Sequence, residues 1–184
     1  MKQPKFTRVP GLVFVYGWQL DDRLRARCGA KGCVVGTARL PDHDLGFFGH
    51  SARWDGAEEA VFEAPEREVW GLLLALRSDE AAGLDDTMNV REDGSGSHFH
   101  CPVEVEDSAG ALQPALIYQM AALGPARTPS REYLERIATG AAAHALPPAW
   151  VERLRSVPAH PASYPVPHGL RTLRVSVASG GCHC

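Results

Sequence analysis

The stretch GLVFVYGWQLDDRLRARC, residues 11–28, decides how the rest of the chain is read. Val13, Phe14, Val15 and Tyr16 are β-branched and aromatic, the composition of a short buried strand. Gly17 breaks that run, and Asp21 to Cys28 reads as a helix. A glycine turn between a buried strand and a helix leaves several backbone N–H groups unpaired, close to the positive end of the helix. Such a nest binds a carboxylate or an oxyanion without any side-chain charge. The same local sequence also makes a tight turn that binds nothing, so the chemistry has to come from the rest of the chain.

Working outward, Cys33–Leu40 reads as a second strand and Asp44–Ser51 as a third, followed by a turn at Arg53–Gly56. Glu59–Ala64 is a strand stopped by Pro65, and Glu68–Leu76, the longest apolar run, reads as the central strand. Ser78–Met88 is a short helix with Ser78 as its N-cap and acids in the first turn. The polar, glycine-rich Asn89–Ser97 is a loop. His98–Asp107 alternates as a strand whose Pro102 marks an edge or a bulge, and Ala111–Met120 is a further strand. Tyr133, Leu134 and Ile137 stand at helical spacing after Ser130, and Pro147–Val157 is a helix begun by proline. Strands first and the longer helices last predict an α+β fold. Its curved, mixed and mostly antiparallel sheet closes into a small barrel that takes ligands at its mouth. We expect one domain over residues 1–157, with residues 158–184 a Pro-rich segment ending in Cys182-His183-Cys184.

Composition narrows the function. A formal charge of −3, from 19 basic and 22 acidic residues, leaves no footprint for nucleic acid or an anionic membrane, so a small-molecule partner is expected. The N-terminal apolar run is shorter than the roughly 7–15 residues of a secretory core, and no stretch approaches the roughly 20 residues that span a bilayer. A cytoplasmic protein is the expectation. Five cysteines, an odd number, argue for reduced thiols rather than a disulfide framework.

Taken in order, Tyr16-Gly17 with Leu20, GTARL (36–40), LGFFGHSARWDGA (45–57), VWGLLLAL (69–76), LDDTMNV (84–90), PSREYLERIATGA (129–141) and ALPPAWVERL (145–154) form one series. This series resembles the γ-glutamylcyclotransferase-like (AIG2-like) family from about Val13 to Leu154. The resemblance implies a small barrel whose mouth holds a γ-glutamyl group, with the loop Tyr16, Gly17, Trp18, Gln19 and Leu20 offering backbone N–H groups to substrate. It implies attack of the substrate's own α-amine on its γ-carbonyl, releasing 5-oxoproline and an amine, with no cofactor. Ring closure then needs orientation and a proton carrier, which the family supplies as one buried glutamate.

The chain departs from the family pattern at that glutamate. Aligning Leu84-Asp85 and Val90 with the family's residues puts Met88 in its place, and a thioether neither takes nor gives a proton. Trp18 stands where the family has a small residue, and Gln19 where it often has asparagine. The candidate replacement acids are Glu92 first, then Asp93, in the glycine-rich loop, with Asp85 and Asp86 near the helix end. Tyr118, on a late strand, is a candidate hydrogen-bonding partner for substrate, and Met88 is a candidate for the pocket floor.

Two other readings stand beside the family reaction. Trp18 and Met88 would make the mouth smaller and less polar, as in a diverged member that binds or transforms another acyl or amino-acid ligand. Cys182 and Cys184 with His98 and His100 could assemble a soft four-ligand metal site if the tail folds back, although the spacing lacks the paired pattern of structural zinc sites and no metal is expected. Ser95 and Ser97 lack the strand-to-helix elbow of a serine hydrolase, and His98 beside them reads as a chance neighbour.

Overall fold

A computed structural model describes residues 11–169. Five strands close into a barrel in the order β1-β3-β2-β4-β5. They are β1 (Leu12–Val15), β2 (Cys33–Ser51), β3 (Gly56–Ala75), β4 (His98–Asp107) and β5 (Leu112–Met120). The helices are α1 (Asp22–Arg27), α2 (Ser78–Thr87), α3 (Arg131–Ala143) and α4 (Pro148–Arg155). The expected α+β barrel is therefore the observed architecture. All strand pairs are antiparallel except β1 with β5, whose single parallel pairing at Val13 and Leu116 closes the barrel.

Two features differ from the sequence reading. The second and third expected strands are one, β2, and the strands on either side of Pro65 are also one, β3. Pairing runs from Pro41–Glu68 directly to His43–Glu63, so four residues of β3 oppose Asp42 alone. Asp42 and Glu66 take positive φ there, and the Asp42 carboxylate accepts from the Glu66 N–H. Pro41 and Pro65 lie in or beside this bulge, where a missing N–H costs the ladder little, which is why they punctuate the sequence without ending the strands. At the start of α2, Ser78 is the first helical residue; the chain is capped one position earlier, where the Glu80 side chain accepts from the Arg77 N–H at 3.0 Å.

Phe14, Leu40, Val69, Leu73, Val105 and Ile117 share the inward face of the barrel by register, and all are nearly inaccessible. Helix α3 crosses the mouth at one end. Its Tyr133 ring stacks on Trp54 with centroids 4.2 Å apart, and the Ser130 hydroxyl donates to the Trp54 carbonyl. Gly140 lets α3 reach the Trp18–Leu20 turn, since a Cβ there would lie 2.7 Å from the Leu20 backbone. After α4 the chain returns over the same region: His160 pairs with Pro129 and Arg131, Ser163 donates to Asp55, and the His168 N–H donates to the Arg53 carbonyl.

Candidate active site

The loop that follows β1 is built as a nest. Trp18–Leu20 forms one 3₁₀ turn, and Asp21 then caps α1 by accepting from the Arg23 and Leu24 N–H groups at 3.0 and 3.2 Å. Buried Arg25 braces the loop from behind, donating to the carbonyls of Gln19 and Lys31 and pairing with Asp22. The Tyr16 hydroxyl donates across the barrel to the Tyr118 carbonyl.

An acid occupies this nest, and it comes from β3. Glu59 is buried and accepts from the Trp18 N–H at 3.2 Å. Gly17 makes that approach possible, because a Cβ at this position would sit 1.5 Å from a Glu59 carboxyl oxygen. Burial, with the Glu58 charge beside it, pushes the Glu59 pKa up to about 8, so the carboxyl is largely protonated at neutral pH. The Tyr16 hydroxyl is pushed up for the same reasons, burial first and then the charge of Glu59.

Two hollows meet at Glu59. The outer one, about 210 Å³, is lined by Trp18, Glu58, Glu59, Met88, His98 and Tyr133 among others. The inner one, about 10 Å³, is bounded by Tyr16, Gln19, Glu59, Met88, His98 and Tyr118. The Tyr133 hydroxyl is buried and has no hydrogen-bond partner among the described residues, an arrangement that costs free energy until a ligand satisfies it. A larger hollow, about 940 Å³, lies on the far side of the loop between α1 and α3 and contains none of these groups.

Of the residues singled out in the sequence, Tyr16, Trp18, Gln19, Met88 and Tyr118 come together around Glu59, and Gly17 supports it. Leu20 faces the other way, into the large hollow. Met88 packs its sulfur 3.3 Å from the Gln19 amide nitrogen. Trp18 is buried with its ring 6.5 Å from that of Trp54, so it walls the outer hollow. The loop acids are elsewhere: Glu92 and Asp93 are exposed, and the Asp93 carboxylate turns back onto Ser95. Water solvates both, and neither lines a hollow with the nest. Asp85 accepts from the Tyr118 hydroxyl at 2.6 Å and lies 2.7 Å from His100 Nε2. His98 and His100 are thus engaged separately, among the described residues no cluster of three or more His, Cys, Asp and Glu could hold a metal, and Cys182 and Cys184 lie outside the described residues.

The sequence reading passed over Glu59, yet a signal was there. Glu58 and Glu59 are neighbours in one strand, and successive side chains of a strand point to opposite faces, so one of the two glutamates had to point inward.

The barrel fold agrees with what known proteins show. Residues 68–154 match the AIG2-like family. The γ-glutamylcyclotransferase of Mus musculus is 30% identical over 152 residues, covering 79% of this chain and 78% of the mouse protein. The Homo sapiens γ-glutamylcyclotransferase is 29% identical over 153 residues. A solved γ-glutamyl cyclotransferase structure superposes with a TM-score of 0.77 at 26% identity, covering 87% of this chain and 95% of the other. The chain belongs to the γ-glutamylcyclotransferase family. No described helix is long and apolar enough to cross a membrane.

Proposed function

We propose that this chain closes a γ-glutamyl amide onto its own α-amine at the barrel mouth, releasing 5-oxoproline and the departing amine, with Glu59 as the group that exchanges protons with the reacting atoms. The observation that carries this reading is the buried Glu59 carboxyl held by the Trp18 N–H beside a hollow of about 210 Å³. That volume is below the ~300 Å³ at which drug-sized sites begin and suits an amino-acid-sized acyl group. A carboxyl with a pKa of about 8 can take up and return a proton near neutral pH, which an ordinary exposed acid cannot do. The Tyr133 hydroxyl, without a partner among the described residues, offers the substrate a hydrogen bond. In this proposal the acid has moved from the family's position at Met88 to the facing strand, and the substrates are γ-glutamyl compounds of cytoplasmic, glutathione-related metabolism.

A second reading rests on one observation: the inner hollow is nearly filled, with room for about one water. A member that has lost the reaction would hold a small acyl or amino-acid ligand in the outer hollow alone. Measuring 5-oxoproline release from γ-glutamyl amino acids, γ-glutamyl amines and glutathione separates the two. Turnover that falls by about 10²–10⁴ in Glu59→Gln and persists in Glu92→Gln supports the proposal. Tight binding without turnover by the wild-type protein supports the second reading.

A further inference from the structure

His98 borders both hollows that meet at Glu59, and one carbonyl fixes its tautomer. Its Nδ1 lies 3.0 Å from the Met88 carbonyl oxygen. That oxygen can only accept, so Nδ1 carries a hydrogen and, in the neutral ring, the lone pair is on Nε2. The Ser97 hydroxyl, 3.1 Å from Nδ1 and 3.4 Å from the same carbonyl, packs beside this bond. Met88 therefore supplies through its backbone what its side chain cannot: it orients a base.

We infer that His98 Nε2 is the base that takes the α-ammonium proton of the substrate, and that Glu59, across the same hollow, is the acid that protonates the departing nitrogen. This rests on the cyclisation proposed above and divides between two residues the work given to one. The steps balance. His98 takes the first ammonium proton, and the freed amine attacks the γ-carbonyl carbon to form the ring C–N bond. The tetrahedral adduct expels the departing nitrogen, to which Glu59 gives its proton as the old C–N bond breaks. The second proton on the ring nitrogen returns to the Glu59 carboxylate, and the imidazolium passes its proton to the released amine, so both residues end as they began.

The charged and titratable groups that line these hollows with His98 are Arg53 from the turn before β3, Glu58 and Glu59 from β3, Tyr16 from the end of β1, Tyr118 from β5 and Tyr133 from α3. Burial dominates among these influences and holds the imidazole below its ordinary 6.5, hence neutral at pH 7. Glu59 is protonated in the same range, so acid and base are both ready before substrate arrives.

The test is His98→Asn, whose side-chain N–H can keep the bond to the Met88 carbonyl while Nε2 is lost. In wild type, kcat/KM against pH should be a bell, with an acid limb below 6.5 from His98 and an alkaline limb near about 8 from Glu59. In His98→Asn, turnover should fall by about a hundredfold or more, the acid limb should vanish, and added imidazole should restore part of the rate. In Glu59→Gln the alkaline limb should vanish instead. A folded His98→Asn that keeps both limbs and its rate overturns the role of His98 while leaving the cyclisation intact. A wild-type protein with no turnover on any γ-glutamyl compound overturns the cyclisation, and this inference with it.

Discussion

Replacing Glu59 by Gln should abolish a large pH dependence of folding stability. The folded carboxyl titrates near about 8 against an ordinary value of 4.5, a difference of about 3.5. The folded state thus holds this proton more tightly than the unfolded one. Its contribution to stability is fully present below about pH 4.5 and is lost as pH rises through 8, at about 1.4 kcal/mol per pH unit and about 5 kcal/mol in all. That is a large share of the ~5–15 kcal/mol that holds a typical domain together. Gln keeps the size and can still accept from the Trp18 N–H, but has no charge to bury. The assay is urea unfolding at half-unit steps from pH 5 to 9, with wild type and Glu59→Gln measured side by side and m-values compared. Wild type should lose stability across this range relative to the variant and level off above about pH 8. Parallel curves for the two proteins would refute the reasoning, because they would mean that Glu59 ionises as an exposed carboxyl does.

Three further outcomes follow from the same geometry. Gly17→Ala places a methyl group where the Glu59 carboxyl sits, so it should cost about 1–3 kcal/mol in urea unfolding and remove the hydrogen bond to Trp18. Tyr133→Phe deletes a buried hydroxyl that has no partner among the described residues; the free protein should be unchanged or more stable by about 1 kcal/mol, while KM for a γ-glutamyl substrate rises. Met88→Glu in the Glu59→Gln background returns a carboxyl to the wall shared by both hollows, and 5-oxoproline release should recover above that of Glu59→Gln alone.

Much of the fold was legible because it depends on local pattern. The apolar run of β1, the glycine turn, Asp21 as the start of α1, and the helical spacing of Tyr133, Leu134 and Ile137 are short-range features that survive in a one-dimensional reading. The bulge at Pro41 and Pro65 was not legible as one, since only pairing across two long strands shows that a proline has fallen where no ladder bond is needed.

The site divides in the same way. The sequence alone determined that a glycine turn follows the first strand and that residue 88 offers no proton, since both depend on residue type and near neighbours. Which carboxyl serves the nest was decided by tertiary structure. Glu59 lies 41 residues from Trp18 along the chain, and barrel closure together with the missing side chain of Gly17 brings the two into contact. Burial is likewise a property of the closed barrel: it sets Glu59, on the core face of β3, apart from Glu92, which the chain leaves in water, although the two side chains are chemically identical.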